Sequence, residues 1–285
     1  HYPAARHSEN PYRNLIECVA AAQADLIARW QLVGFIHGVM NTDNMSIAGE
    51  TIDFGPCAFL DTYHPAKVFS SIDRMGRYAY ANQPRIAYWN LACLAQALFP
   101  LLAADEDAMV AEARAAIDSF PERYDRAWGD GMRRKLGLLE TEADDDTLAR
   151  DLLKVMADGE ADFTLTFRWL TRLADGDDNA GDELRKLHTD PAALDAWLER
   201  WRTRATREQT SDGDRTAAMR AANPVYIPRN HRVEEAIAAA LSDDFEPFER
   251  LVEVLATPFD EQPDAADFEQ PPAAAEVVRQ TFCGT

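Results

Sequence analysis

Residues 37–55 read HGVMNTDNMSIAGETIDFG, and the fold of the whole chain turns on how this stretch is understood. It carries two carboxylates and a carboxamide, Asp43, Asn44 and Asp53, on either side of a tight turn. Met45-Ser46-Ile47 and Thr51-Ile52 are short runs containing β-branched residues, and Ala48-Gly49-Glu50 separates them, so the spacing predicts a β-hairpin. A hairpin folds back on itself and sets Asn44, at its start, beside Asp53, at its end, although nine positions separate them. An Asn carbonyl and an Asp carboxylate together suit Mg2+, which takes few protein oxygens and completes its shell with water and phosphate oxygens. The stretch therefore predicts a divalent-metal and nucleotide-phosphate site with Asn44 and Asp53 as ligands. The plainer alternative is an Asx turn at Asp43-Asn44 that opens the hairpin, with Asp53 capping the segment after it.

The composition gives such a site a globular setting. The 285 residues are 47% hydrophobic, enough for one large domain or two ordinary ones around a proper core. A formal net charge of −20 argues against a nucleic-acid or anionic-membrane partner, because neutralising phosphates needs clustered Lys and Arg. A nucleotide remains compatible, since a bound metal supplies positive charge locally. Cys18, Cys57, Cys93 and Cys283 are scattered without zinc-ligand spacing, a pattern that suits a reducing, cytoplasmic compartment of bacterial type. Cys18 and Cys93 fall in apolar helical stretches and predict buried small hydrophobes. No window approaches the ~20 apolar residues of a membrane span, and no signal peptide is visible. The chain begins at His1 rather than Met, which predicts a processed product or a fragment.

Along the chain, residues 1–11 predict an irregular lead-in, and residues 12–32 an amphipathic helix stopped by Gly34. Residues 54–77 form a long connection rich in aromatics, of the kind that is usually functional. Pro84 opens a strongly apolar helix that ends near Phe99-Pro100. From there the pattern is helical almost throughout, over 106–119, 121–136, 145–157, 162–174, 191–206, 211–222, 229–241 and 244–256, with a loop at 175–182. The tail from Thr257 carries four prolines by Pro272 and predicts an extended, surface-wrapping segment. Apart from the one hairpin the chain predicts a mainly α protein. Its organisation is a core at 12–136, a helical extension at 137–256 and an acidic, Pro-rich tail at 257–285 ending in Cys283.

Other residues with chemical potential favour structural roles. His37 follows an apolar run and predicts a satisfied core residue. Asp175-Gly176-Asp177-Asp178-Asn179 begins like a calcium loop, but Ala180 and Lys186 stand where the required Gly and the closing acid belong. Asp144-Asp145-Asp146 is explained as a helix N-cap and dipole complement. Trp89, Trp128, Trp169, Trp197 and Trp201 lie at helical spacing and predict core packing.

An Asn, a short hairpin and then Asp-Phe-Gly resemble the Mg2+-holding turn of kinase-like folds. The usual catalytic Asp of that pattern would fall at Val39, which accepts no proton, so Asp43 is the nearest candidate base. Beyond this turn, residues 37–61 (HGVMNTDNMSIAGETIDFGPCAFLD), 76–98 (GRYAYANQPRIAYWNLACLAQAL), 133–138 (RRKLGL), 223–230 (NPVYIPRN) and the C-terminal Cys283 resemble the selenoprotein O family, SelO, also called YdiU. The resemblance implies a kinase-like C-terminal lobe that binds ATP, with Mg2+, in an orientation reversed relative to ordinary kinases. AMP then passes to Ser, Thr or Tyr hydroxyls of protein substrates and pyrophosphate leaves. It assigns the base to Asp43 and the metal ligands to Asn44 and Asp53.

Two departures accompany the resemblance. The family's N-terminal lobe, with its glycine-rich loop and phosphate-contacting cations, has no counterpart in these residues, so weak or absent activity is expected of this polypeptide alone. In some members the C-terminal Cys or selenocysteine forms a regulatory disulfide with a Cys in the loop after the Asp-Phe-Gly motif. Here Val68, Phe69 and Ser70 occupy the expected place and the loop's cysteine is Cys57, so a free Cys283 thiol is favoured over a Cys57–Cys283 bridge. The alternatives are uridylyl transfer from UTP with Mn2+, a non-catalytic pseudokinase scaffold, and a small-molecule phosphotransferase that would normally keep an Asp where Val39 stands.

Overall fold

A computed structural model describes residues 1–282. Helix α1 (Pro11–Val33) opens with an N-cap in which the Asn10 side chain accepts from the Arg13 N–H, and Gly34 closes it at φ 75°. Glycine is needed there because a residue with a Cβ is strained at that angle. The chain then forms strand β1 (Phe35–Ile36), a long loop, and strand β2 (Ala58–Phe59), which pairs antiparallel with β1, Phe35 opposite Phe59 and Ile36 opposite Ala58. The next helices are α2 (Gln83–Ala97), with Pro84 in its first turn, a short α3 (Phe99–Leu102), α4 (Glu106–Ile117) and α5 (Ser119–Lys135). The extension contains α6 (Asp145–Asp158), α7 (Phe163–Ala174), α8 (Ala180–Lys186), α9 (Pro191–Ala205), α10 (Asp212–Ala222), α11 (Asn230–Ala240) and α12 (Glu246–Leu255), and a short α13 (Ala266–Glu269) lies in the tail.

Two apolar cores share α5 as their common wall. One joins Ile16, Val19, Ile27 and Trp30 of α1 to Ile86 and Leu91 of α2 and Ile117 of α4. The other joins Trp128 and Met132 of α5 to Leu152 of α6, Phe163 and Phe167 of α7, and Trp197 and Trp201 of α9. A Cβ added to Gly131 would collide with the Leu32 side chain, so the glycine leaves room for that leucine where α1 packs on α5. The buried indoles are also satisfied as donors: Trp197 Nε1 donates to Leu148 O and Trp201 Nε1 to Leu136 O, both at 2.9 Å.

Ion pairs tie the segments between helices to these cores. Arg229 is 1% exposed on its side chain and binds Asp162 Oδ2 at 2.6 Å and Asp61 Oδ1 at 2.8 Å, joining the end of the β2 connection to the N-terminus of α7. Arg204 Nε donates to Asp145 Oδ1 at 2.7 Å.

Several expectations are corrected. The hairpin contracts to one bridge, Met45 opposite Thr51, and the strands that do form lie outside it at 35–36 and 58–59. The cause is local: the Ser46 carbonyl is taken by Gln23 Nε2 at 2.6 Å, and Asp53 adopts a left-handed φ of 54° that ends the extended path. Asp144 stands at the N-cap position of α6 without a side-chain cap bond and Asp145 and Asp146 lie in the first turn as expected, but Asp145 is 1% exposed and also pairs with Arg204. The 175–182 loop already contains the start of α8, and Trp89 is 44% exposed, its ring covered by the Arg77 guanidinium at 4.6 Å. Cys18 and Cys93 are half-buried free thiols rather than core residues. The tail is only partly extended, because it holds α13 and then pairs Thr281 with Ser70 in a parallel bridge. No helix among the described residues is long and apolar enough to cross a membrane.

Lys135 ends α5 at 2% exposure with its ammonium 4.0 Å from the centre of the Phe167 ring, and burial pushes its pKa down to about 7. An unfolded lysine titrates near 10.4, so folding disfavours the charged form. The contribution is least unfavourable above the unfolded pKa and is lost as pH falls toward 7. Urea unfolding of the native sequence is expected to gain about 1 kcal/mol per pH unit between pH 7.5 and 9 from this group, and Lys135→Met is expected to remove that slope. An unchanged slope in the variant would refute the assignment.

Candidate functional site

The loop between β1 and β2 is fixed at its back and bare at its front. His37 is fully buried, with its ring centre 5.3 Å from that of Trp30 and its Nε2 2.8 Å from Ile52 O. Burial lowers its pKa, so the ring is neutral; Nε2–H donates to Ile52 and Nδ1 faces the Val39 N–H. With both nitrogens engaged, His37 is a brace for the loop. Gly38 follows at φ 83°, and a Cβ there would stand 2.7 Å from Pro56 O, so the outgoing and returning strands touch at this point.

Carboxamides from distant helices complete the loop's backbone bonding. Gln83, at the start of α2, donates Nε2 to Phe35 O at 2.9 Å and accepts the His37 N–H on Oε1 at 3.0 Å. Asn90, two turns along the same helix, donates to Met40 O at 2.9 Å. Tyr78 Oη donates to Asn41 Oδ1 at 2.6 Å, and Trp30 Nε1 donates to Thr51 Oγ1 at 2.9 Å. Asn230, at the start of α11, grips Phe59 from both sides, accepting its N–H at 3.1 Å and donating to its carbonyl at 2.8 Å.

Asp43 and Asn44 occupy a single 3-10 turn (Thr42–Asn44) immediately before the Met45–Thr51 bridge. Asp43 and Asn44 thus lead into the bridge, and Ile52 and Asp53 lead out of it. Asn44 Nδ2 donates to Val39 O at 3.0 Å, and among the described residues its Oδ1 accepts no hydrogen bond. Asp43 and Asp53 are exposed, and among the described residues neither carboxylate has a hydrogen bond or ion pair. Asp53 follows directly on Ile52, whose carbonyl is bound by His37, and so adjoins the braced part of the loop. Val39 is buried, with no acidic group in its place.

Two carboxylates and one free amide oxygen are a donor set for a hard cation that draws its remaining oxygens from phosphate and water. Among the described residues no group of three or more His, Cys, Asp or Glu side chains is placed to hold a metal by itself. Phe54 and Gly55 project beside a cavity of about 810 Å3 whose walls include Trp30, Phe35, Phe59 and Lys135. Cys57 is a free thiol whose pKa burial raises to about 11; Cys283 lies outside the described residues.

Gln83, Asn90, Tyr78 and Asn230 were not legible as supports from spacing alone. A signal existed for two of them: the buried positions of α2 are 83, 86, 87, 90, 91 and 95, and two of those are carboxamides on an otherwise apolar face.

The family model described as "Protein adenylyltransferase SelO" matches residues 1–256. A protein nucleotidyltransferase YdiU of Rhodopseudomonas palustris is 57% identical over the whole of this chain, which spans 58% of that relative. Proteins of the same name from Methylorubrum extorquens and Agrobacterium fabrum are 56% and 54% identical, again over the whole chain, which covers 59% and 58% of their lengths. The chain thus spans a little under three-fifths of these curated relatives.

Gln83→Leu leaves the Phe35 carbonyl and the His37 N–H buried without partners. The expected loss is about 2–4 kcal/mol in urea unfolding, together with faster amide hydrogen exchange across 35–41. A loss below about 0.5 kcal/mol would show that the amide bridge does not support the loop.

Proposed function

Since the chain belongs to the SelO family of protein adenylyltransferases, we propose that residues 37–55 form the metal-facing half of a nucleotidyl-transfer site on a kinase-like lobe. The reaction moves AMP from ATP to a Ser, Thr or Tyr hydroxyl of a protein. One observation carries the reading: Asp43 and Asp53, on either side of the Met45–Thr51 bridge, are exposed and unpaired among the described residues, and the Asn44 amide next to Asp43 is held by its bond to Val39.

In this reading Asn44 Oδ1 and the Asp53 carboxylate hold the divalent ion, which when bound neutralises phosphate charge. Asp43 orients the attacking hydroxyl and receives its proton as the new oxygen–phosphorus bond forms at the α-phosphate. The bond from that phosphorus to the bridging oxygen breaks, and pyrophosphate leaves. The His37–Ile52 contact and the Gln83 bridge keep Asn44 and Asp53 from moving apart, which matters because such transfer depends mainly on positioning and charge. The remaining cationic clamp on the phosphates is proposed to lie in the part of the relatives that this chain does not span.

The test uses the polypeptide extended to the length of its relatives. Incubation with Mg2+ and ATP labelled at the α-phosphate is expected to label protein, and Asp43→Asn and Asp53→Asn are each expected to reduce labelling by about 100-fold or more. Asn is the choice at position 53 because it tolerates the left-handed backbone, so unfolding stability should stay within about 0.5 kcal/mol. Label arriving only from the γ-phosphate would replace nucleotidyl by phosphoryl transfer, and labelling only with UTP and Mn2+ would change the nucleotide. No metal-dependent nucleotide binding at all would leave a scaffold. The present chain alone is expected to label far more slowly than the extended one.

A further inference from the structure

Away from residues 37–55, the C-terminal half of α7, the end of α10 and the segment after α12 enclose a cavity of about 630 Å3. Three arginines line it. Arg168 and Arg172 are one turn apart on α7, and Arg220 enters from α10. The Arg168 side chain is only 4% exposed, yet its Nε has no hydrogen-bond partner. One of its terminal nitrogens contacts Glu261, and Arg172 Nη2 lies 3.6 Å from the same carboxylate oxygen. Glu261 itself is 63% exposed. Arg220 pairs with Asp175, while Asp177, Asp260 and Phe259 complete the lining.

A buried guanidinium normally has its donors paired, because an unpaired charged donor away from water is costly. Here two guanidinium groups share a single carboxylate that stands mostly in solvent. Burial and the neighbouring charges of Arg172 and Arg220 all push the Arg168 pKa down, with the Glu269 carboxylate acting the other way. The buried end at Arg168 is therefore short of acceptors, while the four carboxylates of the lining, Asp175, Asp177, Asp260 and Glu261, stand at more exposed positions. A tetrahedral oxyanion presents several acceptors at once, which a single carboxylate cannot do for converging guanidinium forks.

We propose that Arg168, Arg172 and Arg220 form a binding site for the phosphoryl group of a small phosphomonoester, and that Glu261 is the internal occupant which the ligand displaces. The Asp177 and Asp260 rim disfavours polyphosphates by like charge, and Phe259 offers an apolar face to the organic part of the ligand. The site is independent of the nucleotidyl-transfer reading, since none of its residues belongs to the 37–55 loop.

Binding is measured by titration calorimetry at constant ionic strength on the full chain, with inorganic phosphate, a nucleoside monophosphate and the unphosphorylated nucleoside as probes. Saturable binding of phosphate or of the monophosphate, but not of the nucleoside, is expected. Equal affinities would identify the free anion as sufficient, and a tighter monophosphate would show that the organic part contributes. Arg172→Gln is expected to weaken binding about tenfold and Glu261→Gln to strengthen it several-fold, while Asp53→Asn leaves it unchanged. Both arginine-site variants alter partly exposed side chains and should fold. The proposal fails if no phosphate probe saturates, if the nucleoside binds as well as the monophosphate, if Arg172→Gln or Glu261→Gln has no effect, or if Asp53→Asn abolishes binding.

Discussion

A sheet of two strands, each two residues long, cannot satisfy its own backbone, and the site depends on how that shortage is met. Phe35 and Phe59 lie at the outer pair of the ladder with no further strand beyond them. Gln83 finishes the β1 side by bonding to Phe35 and His37, and Asn230 finishes the β2 side by bonding to both backbone groups of Phe59. Each amide supplies one donor and one acceptor, so each stands in for a residue of a missing strand. The orientation of the 37–57 loop is thereby set by α2 and α11, elements far apart in sequence.

This support is one-sided. The loop is bonded to α1 and α2 through Trp30, Gln23, Gln83 and Asn90 and to Tyr2, Tyr78 and Thr281 outside those helices, and none of these bonds uses the carboxylates of Asp43 and Asp53. The front edge carries Asp43, Asn44 and Asp53 without protein partners for their oxygens. Asp53 also holds a left-handed backbone that costs a non-glycine residue roughly 1–2 kcal/mol. Strain at Asp53 and unpaired carboxylates on a braced loop fit the proposed reading, in which stability is given up to keep the chemistry available.

The legible part of the fold was the part governed by local pattern. Apart from the short α3 and α8, the helices from α1 to α12 followed from apolar period and punctuation, with Gly34, Pro84 and Asp162 marking ends as expected. What local pattern could not supply was the partner of each polar group. Asp145 has the sequence context of a cap and becomes the buried partner of Arg204, fifty-nine residues away, because α6 and α9 pack together. The β-branched runs and a glycine predict the hairpin, but tertiary bonds from Gln23 and Trp30 take over the backbone and side-chain groups a longer ladder would have used. At the proposed site, positions 43, 44 and 53 were singled out by residue type and order, whereas the bracing by Gln83 and Asn230 was not legible, since a carboxamide names no partner.

Charge distribution extends the same logic. The chain carries 29 Lys and Arg against 49 Asp and Glu, and several of its cations are committed to the interior. Arg204 and Arg229 are buried in ion pairs, Arg168 is buried beside Glu261, and Lys135 sits among phenylalanine rings with its charged form disfavoured. None of them is paired with Asp43 or Asp53. A polyphosphate approaching two bare carboxylates would be repelled unless positive charge arrived with it, either as a divalent ion or from another protein segment. The acidity of the chain and the exposure of Asp43 and Asp53 therefore bear on one another: under the proposed reading the loop seats a cation, and an anionic substrate binds there only with that cation in place.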